Sequence, residues 1–199
     1  PSPVRGRYFE TLAFRRLFNE YHKAGARWVS APKPALTDSL YEMDGVHPRR
    51  DSLGDVFMTN EYEPVFDAAS FTRCGKDIFA VRDHVTNYAG IEWLQQYLGD
   101  EFRVHVVECK APNAMHIDDV FVPLAPGKAL VNPAWQVRLP EIAKSWDLLM
   151  APPPDKQNVE FMGFPSQVTS WISMNVFSID EERVFVEEQQ VSLIKKLKD

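Results

Sequence analysis

The chain has 199 residues, 45% of them hydrophobic and 25% charged, an ordinary globular composition that excludes the disordered and collagenous extremes. Fifteen prolines against nine glycines interrupt the chain too often for a coiled coil. With 22 basic and 28 acidic side chains and a net charge of −6, it offers no basic footprint for nucleic acid or an anionic membrane surface. No run approaches the roughly 18 apolar residues of a membrane span, and residues 1–7 lack the apolar centre of a signal peptide. A soluble, cytoplasmic protein is expected, with a mitochondrial one as the alternative if a transit peptide has been removed. The start at Pro1, without methionine, points to processing or to a cut from a longer chain. Two cysteines, Cys74 and Cys109, are too few for a disulfide framework or a structural zinc site.

Near the N-terminus Phe14, Leu17, Phe18 and Tyr21 recur at i, i+3, i+4, i+7, which predicts a helix over 7–23 with one buried face. Gly25 is its expected C-terminal stop, and 27–31 reads as a short strand ended by Pro32 and Pro34. Residues 33–55 read as loop. A cycle of elements then begins: a strand at 64–67, a turn through Arg73, Cys74 and Gly75, a strand at 77–82, a helix at 86–98 ended by Gly99, and a strand at 103–109. The next cycle has strands at 118–124 and 129–132 around the turn Ala125–Pro126–Gly127, a helix from 139 carrying Leu139, Ile142, Ala143 and Trp146, and an apolar run that Pro152 stops. A third has strands at 172–179 and 183–187 and a helix from 189 onward. The helix starts are 53 and 50 residues apart, so a ββαβ module recurs. This α/β pattern divides the chain into the end of one module (1–34), a loop (35–60), two modules (61–110 and 111–154) and an incomplete module (166–199). Sheets cut short leave unpaired edges, so a fragment incomplete at both ends is expected.

The chemistry-bearing residues gather at corresponding points of two cycles. His116 and Asp118 are two apart at the entry of a predicted strand, where alternation sends both to one face, and Asp67 lies at the first strand of the preceding module. A radial repeat would turn all three toward a common axis. Paired carboxylates suit a guanidinium, whose five N–H donors form a fixed fork, and a histidine beside them is a proton carrier at neutral pH. The plain alternative is that His-x-Asp caps a turn and that Asp67 satisfies loop amides. Cys74, between Arg73 and Lys76 at a turn, has neighbours of the kind that favour a thiolate, but a turn thiol beside basic residues is usually only a thiol; Cys109 reads as strand core.

The letters add what spacing does not. FDAAS from Phe66, GKDIFA, VTNYAGIEWL, MHIDD from Met115, PGKALVNP and WISMNVFSIDEERV occur in order across 7–191, and together they resemble the glycine amidinotransferase and inosamine-phosphate amidinotransferase family. The resemblance implies a pentein fold, an α/β propeller of ββαβ modules around a pseudo-fivefold axis. It implies transfer of the amidino group of arginine to an amine such as glycine, through an amidino-thioester on a cysteine. No metal or organic cofactor is implied, the substrates are small molecules, and a homodimer is possible. By the same resemblance His116 is the general acid and base, Asp67 the carboxylate working with it, Asp118 the guanidinium ligand, Met115 a lining residue, and Asn113 part of a loop over the site.

The family's nucleophilic cysteine falls beyond Asp199, and neither Cys74 nor Cys109 occupies its motif, so the chain alone is expected to be inactive. Trp135 stands where an arginine for the substrate carboxylate is expected, with Arg138 three residues on, and Val168, Thr169 and Ser170 replace two small hydroxyl residues of the acceptor pocket. Two other readings remain: a guanidine-modifying hydrolase of the same superfamily, and a non-catalytic paralogue that binds guanidinium compounds or a partner chain.

Overall fold

The computed structural model describes residues 2–42, 57–110, 116–155 and 169–198. The first cycle is clearest. Strands β1 (Phe71–Cys74) and β2 (Asp77–Val81) form an antiparallel hairpin around Gly75, helix α2 (Tyr88–Leu98) crosses over, and β3 (Arg103–Lys110) returns parallel to β2. The predicted strand at 64–67 joins no sheet, although Asp67 itself is extended. It leads into a 3₁₀ turn at Ala68–Ser70, so the hairpin begins later than the sequence pattern placed it.

The second hairpin is β4 (Phe121–Ala125) with β5 (Lys128–Val131), and β7 (Asp147–Met150) lies parallel to β5. No α-helix crosses over here. Pro140 interrupts the predicted periodic run and holds Leu139 away from helical backbone, leaving only a 3₁₀ turn at Glu141–Ala143. The connection instead carries β6 (Gln136–Arg138), which pairs antiparallel with β3 and ties the first sheet to the second cycle. In the third cycle the predicted strand at 172–179 is mostly a 3₁₀ turn, Ser170–Met174, because the Thr169 hydroxyl accepts from the Trp171 N–H and caps it. Short strands β8 (Phe177–Ser178) and β9 (Val184–Phe185) follow, then α3 (Val191–Lys198).

Alternation along β4 and β5 explains why both strands are apolar throughout. Phe121, Ala129 and Val131 face one core with Phe79, Val81 and Val107 of the first sheet. Val122 and Leu130 face a second core with Met174, Val176 and Leu193. The N-terminal expectation fails: residues 5–12 form two 3₁₀ turns, and only Arg15–Lys23 is helical (α1). Phe14, Leu17 and Tyr21 are 55%, 46% and 53% exposed, so the face predicted to be buried is open, while Phe18 stacks on Trp28. Residues 27–31 form no strand. No helix among the described residues is long and apolar enough to cross a membrane.

Helix α2 starts where Asn87 caps it, its Oδ1 accepting from the Gly90 N–H at 2.8 Å. Gly90 lies so close to residue 65 that a Cβ there would sit 2.2 Å from the Val65 carbonyl oxygen. Gly90→Ala is therefore expected to destabilise the fold by about 1–3 kcal/mol, because backbone must move to admit the methyl. A urea-unfolding midpoint equal to that of the parent protein would show that the contact carries no such constraint.

Candidate functional site

Asp67 is fixed by its backbone before its side chain does anything. Its N–H donates to Thr86 Oγ1 at 3.0 Å and its carbonyl accepts from the Ser70 N–H at 3.1 Å, which sets it at the start of the Ala68–Ser70 turn. The carboxylate, 13% exposed, pairs with Arg7 Nη1 at 2.5 Å. Arg7 also donates from Nε to both Glu10 oxygens, and these partners hold its guanidinium above the usual arginine range, the Glu10 hydrogen bond first.

Behind Asp67 lies a buried polar chain. Thr86 Oγ1 donates to Ser70 Oγ at 2.8 Å, and Ser70 Oγ donates to Asp83 Oδ2 at 2.6 Å. All three residues are 0% exposed, and burial pushes the Asp83 carboxyl up to about 7. The Arg82 guanidinium, 6% exposed, donates to the carbonyls of Asp83, Thr86 and Thr59.

His116 and Asp118 do not lie on a strand as expected. His116 is the extended residue before a 3₁₀ turn at Ile117–Asp119, so side-chain direction there follows the turn rather than strand alternation. His116 Nε2 is buried and without a hydrogen-bond partner among the described residues, as is Asp119 Oδ1. Burial raises the Asp118 carboxyl above its ordinary value, and nearby His116 opposes the shift. Asp119 is pushed up to about 7, by burial first, against a hydrogen bond from Thr169 Oγ1 at 3.1 Å and with the adjacent Asp118 charge adding to the rise. The turn Ile117–Asp119 packs on both Ala68–Ser70 and Ser170–Met174, so segments far apart in sequence meet here.

The structure thus brings together the segments that carry Asp67, His116 and Asp118. Asn113 and Met115 lie outside the described residues. Cys74 fits the plain-thiol reading: burial and then the Asp77 charge raise its thiol, while Arg73 turns to the Gly75 carbonyl and the Phe102 ring. Cys109 is buried in the first core. Trp135 packs against that core, and Arg138 pairs with Glu108 at 2.8 Å across β3 and β6. Pattern reasoning missed Arg7, Ser70, Asp83, Thr86 and Asp119. Ser70, Thr86 and Asp119 stand within FDAAS, VTNYAGIEWL and MHIDD, and Asp83 and Thr86 within a cluster of small polar residues before α2 that also reads as an ordinary helix cap. Among the described residues, no three His, Cys, Asp or Glu side chains are grouped as metal ligands.

No protein-family model matches the chain. Similarity to individual proteins is extensive. It is 46% identical over 199 residues to the L-arginine:L-lysine amidinotransferase of Pseudomonas savastanoi pv. phaseolicola, covering 100% of this chain and 54% of that protein. It is 41% identical to the mitochondrial glycine amidinotransferase of Gallus gallus, covering 98% of this chain and 47% of that one. The solved structure of an amidinotransferase from the saxitoxin pathway of Microseira wollei superposes with a TM-score of 0.87 at 48% identity, over 100% of this chain and 55% of its own. The chain spans about half the length of the curated relatives it matches. Similarity along the whole chain and a shared backbone point the same way: the chain is homologous to about half the length of proteins named amidinotransferase and has the fold of that part of them.

Proposed function

We propose that this protein is an amidinotransferase that moves the amidino group of arginine to an amine acceptor, glycine or a related amine, through a cysteine amidino-thioester. The observation that supports this best is the packing of the Ala68–Ser70 turn, which follows Asp67, on the Ile117–Asp119 turn, which follows His116 and carries Asp118, with His116 Nε2 buried and without a hydrogen-bond partner among the described residues. Relatives named for transfer to lysine and to glycine support the amine as acceptor class. The nucleophilic cysteine is assigned to neither Cys74 nor Cys109.

In this reading Asp118 holds the planar guanidinium of the donor through charge-assisted hydrogen bonds. A thiolate attacks the guanidino carbon, His116 passes a proton to the departing amine, and the C–N bond breaks to leave the amidino group on sulfur. His116 then takes a proton from the incoming amine as its nitrogen attacks and the thiolate departs. Asp67 orients the imidazole and stabilises its charged form, Met115 lines the site, and Asn113 lies on the loop over it. The reading carries with it a homodimeric assembly and a cytoplasmic location, with a mitochondrial one as the alternative that the Gallus gallus relative raises.

Two measurements on the full-length protein test the proposal. His116→Ala is expected to lower turnover of arginine with an amine acceptor by about 10²–10⁴-fold, the usual weight of general acid–base catalysis. Turnover close to the parent value removes His116 as proton carrier, and unchanged arginine affinity in Asp118→Asn removes Asp118 as guanidinium ligand. Donor binding should also depend on pH. A bound cation favours ionised carboxylates, and burial pushes the Asp119 carboxyl, next to Asp118, up to about 7, so affinity for arginine is expected to rise as the pH passes upward through that value. Calorimetric titration of Asp119→Asn should show a flatter profile; a profile identical to the parent's would detach Asp119 from donor binding.

A further inference from the structure

We propose that Thr86, Ser70 and Asp83 form a buried hydroxyl relay that fixes the backbone at Asp67, making the three of them positioning residues of the transfer reaction. The inference rests on the roles just given to Asp67 and His116. It begins at the one fixed end of the chain of hydrogen bonds. A backbone N–H can only donate, so the 3.0 Å contact from Asp67 N makes Thr86 Oγ1 an acceptor. The Thr86 hydrogen then goes to Ser70 Oγ at 2.8 Å, and the Ser70 hydrogen to Asp83 Oδ2 at 2.6 Å. The second Asp83 oxygen accepts from the Val85 N–H at 2.8 Å. With Asp83 as pure acceptor every hydrogen in the relay has a partner.

The far end is anchored. Asp83 N–H donates to the Thr86 carbonyl at 3.2 Å, closing the turn between β2 and α2, and Arg82 clamps the same turn by donating to the Asp83 and Thr86 carbonyls. Arg82 Nε is itself 3.3 Å from Glu61 Oε1. Ser70 belongs to the turn that Asp67 begins, so the relay holds Asp67 at its N–H and one turn further along. Filling this space calls for no hydroxyl or carboxylate: small apolar side chains would bury more cheaply than three polar ones. What the polar groups achieve is a single backbone geometry at Asp67, whose turn packs on the one His116 precedes. A displacement of about 1 Å in such a group costs on the order of 10²-fold in rate.

The test compares Thr86→Val, nearly isosteric but without the hydroxyl, with Thr86→Ser, which keeps it, in the full-length protein assayed with arginine and glycine. Circular dichroism melting first establishes that each sample is folded at the assay temperature. Thr86→Val is expected to lower kcat about ten- to a hundredfold while KM for arginine stays within about twofold, and Thr86→Ser to restore kcat. Ser70→Ala combined with Thr86→Val should do no more damage than Thr86→Val alone, because the relay acts as one unit. A folded Thr86→Val with the parent kcat overturns the proposal, as does equal loss in Thr86→Ser. If Thr86→Val does not fold, Ser70→Ala, which removes one hydroxyl and leaves the Asp67 N–H paired, decides by the same criterion. His116→Ala serves as the reference: if it keeps turnover, the assignment of the site fails, and if it loses turnover while Thr86→Val does not, only the relay fails.

Discussion

The side-chain amide of Asn87 is the constraint on which the site end of this fold depends. Its Oδ1 accepts from the N–H groups of Val65 and Gly90 at 3.0 and 2.8 Å, and its Nδ2 donates to the carbonyls of Asn60 and Glu63, both at 2.8 Å. All four hydrogen-bonding positions of a fully buried amide are therefore used. One side chain caps α2 and straps residues 60–65 across its start, and the Asn87 N–H to the Val65 carbonyl, at 3.1 Å, makes the strap double. Gly90 permits this approach by having no Cβ. Leaving any one of those buried groups unpaired costs about 1–3 kcal/mol, so the arrangement tolerates no partial version of itself.

Thr86 precedes Asn87, and the two neighbours hold alternate residues, Asp67 and Val65. Extended backbone explains the alternation: Val65 faces the helix cap and the small core with Leu36 and Leu40, while Asp67 is two residues further along at the turn. The position of the carboxylate is thus set by a helix cap and a crossover turn, which are among the most rigid local features available. Polar groups that would be costly in a core become the means of fixing one geometry.

Elements whose signals were local were legible in the sequence. The helix before Gly99, the run 103–109 and the turn at Pro126–Gly127 each carry a period and a stop, and α2, β3 and the β4–β5 hairpin follow them. Where periodicity misled, another force prevailed: Pro140 against a helix at 139, the Thr169 cap against a strand at 172, and unburied aromatics on α1. Spacing singled out Asp67, His116 and Asp118, and the segments FDAAS and MHIDD supplied the roles proposed for them, because letters in order carry family information that spacing lacks. Ser70 and Asp119 stand in the same two segments without a spacing that singles them out, and Asp83 lies outside both. Their significance lies in partners 13, 13 and 50 residues away, and no one-dimensional period encodes such a contact.

The carboxylates of the site divide by what faces them. Asp67 has a guanidinium of this same chain at 2.5 Å, a pair half open to solvent on the Arg7 side and so worth no more than about 1 kcal/mol. Asp118 and Asp119 have no arginine or lysine pair among the described residues, and burial raises both carboxyls. Burial without a cation is the condition that makes a carboxylate hold its proton, and a cation brought to it reverses the balance. A guanidinium reaching these half-buried groups would supply the missing charge in a less solvated place than the open Arg7 pair. Under the proposed function, a donor guanidinium brought to Asp118 and Asp119 would displace a proton that burial favours, so its binding would be coupled to pH.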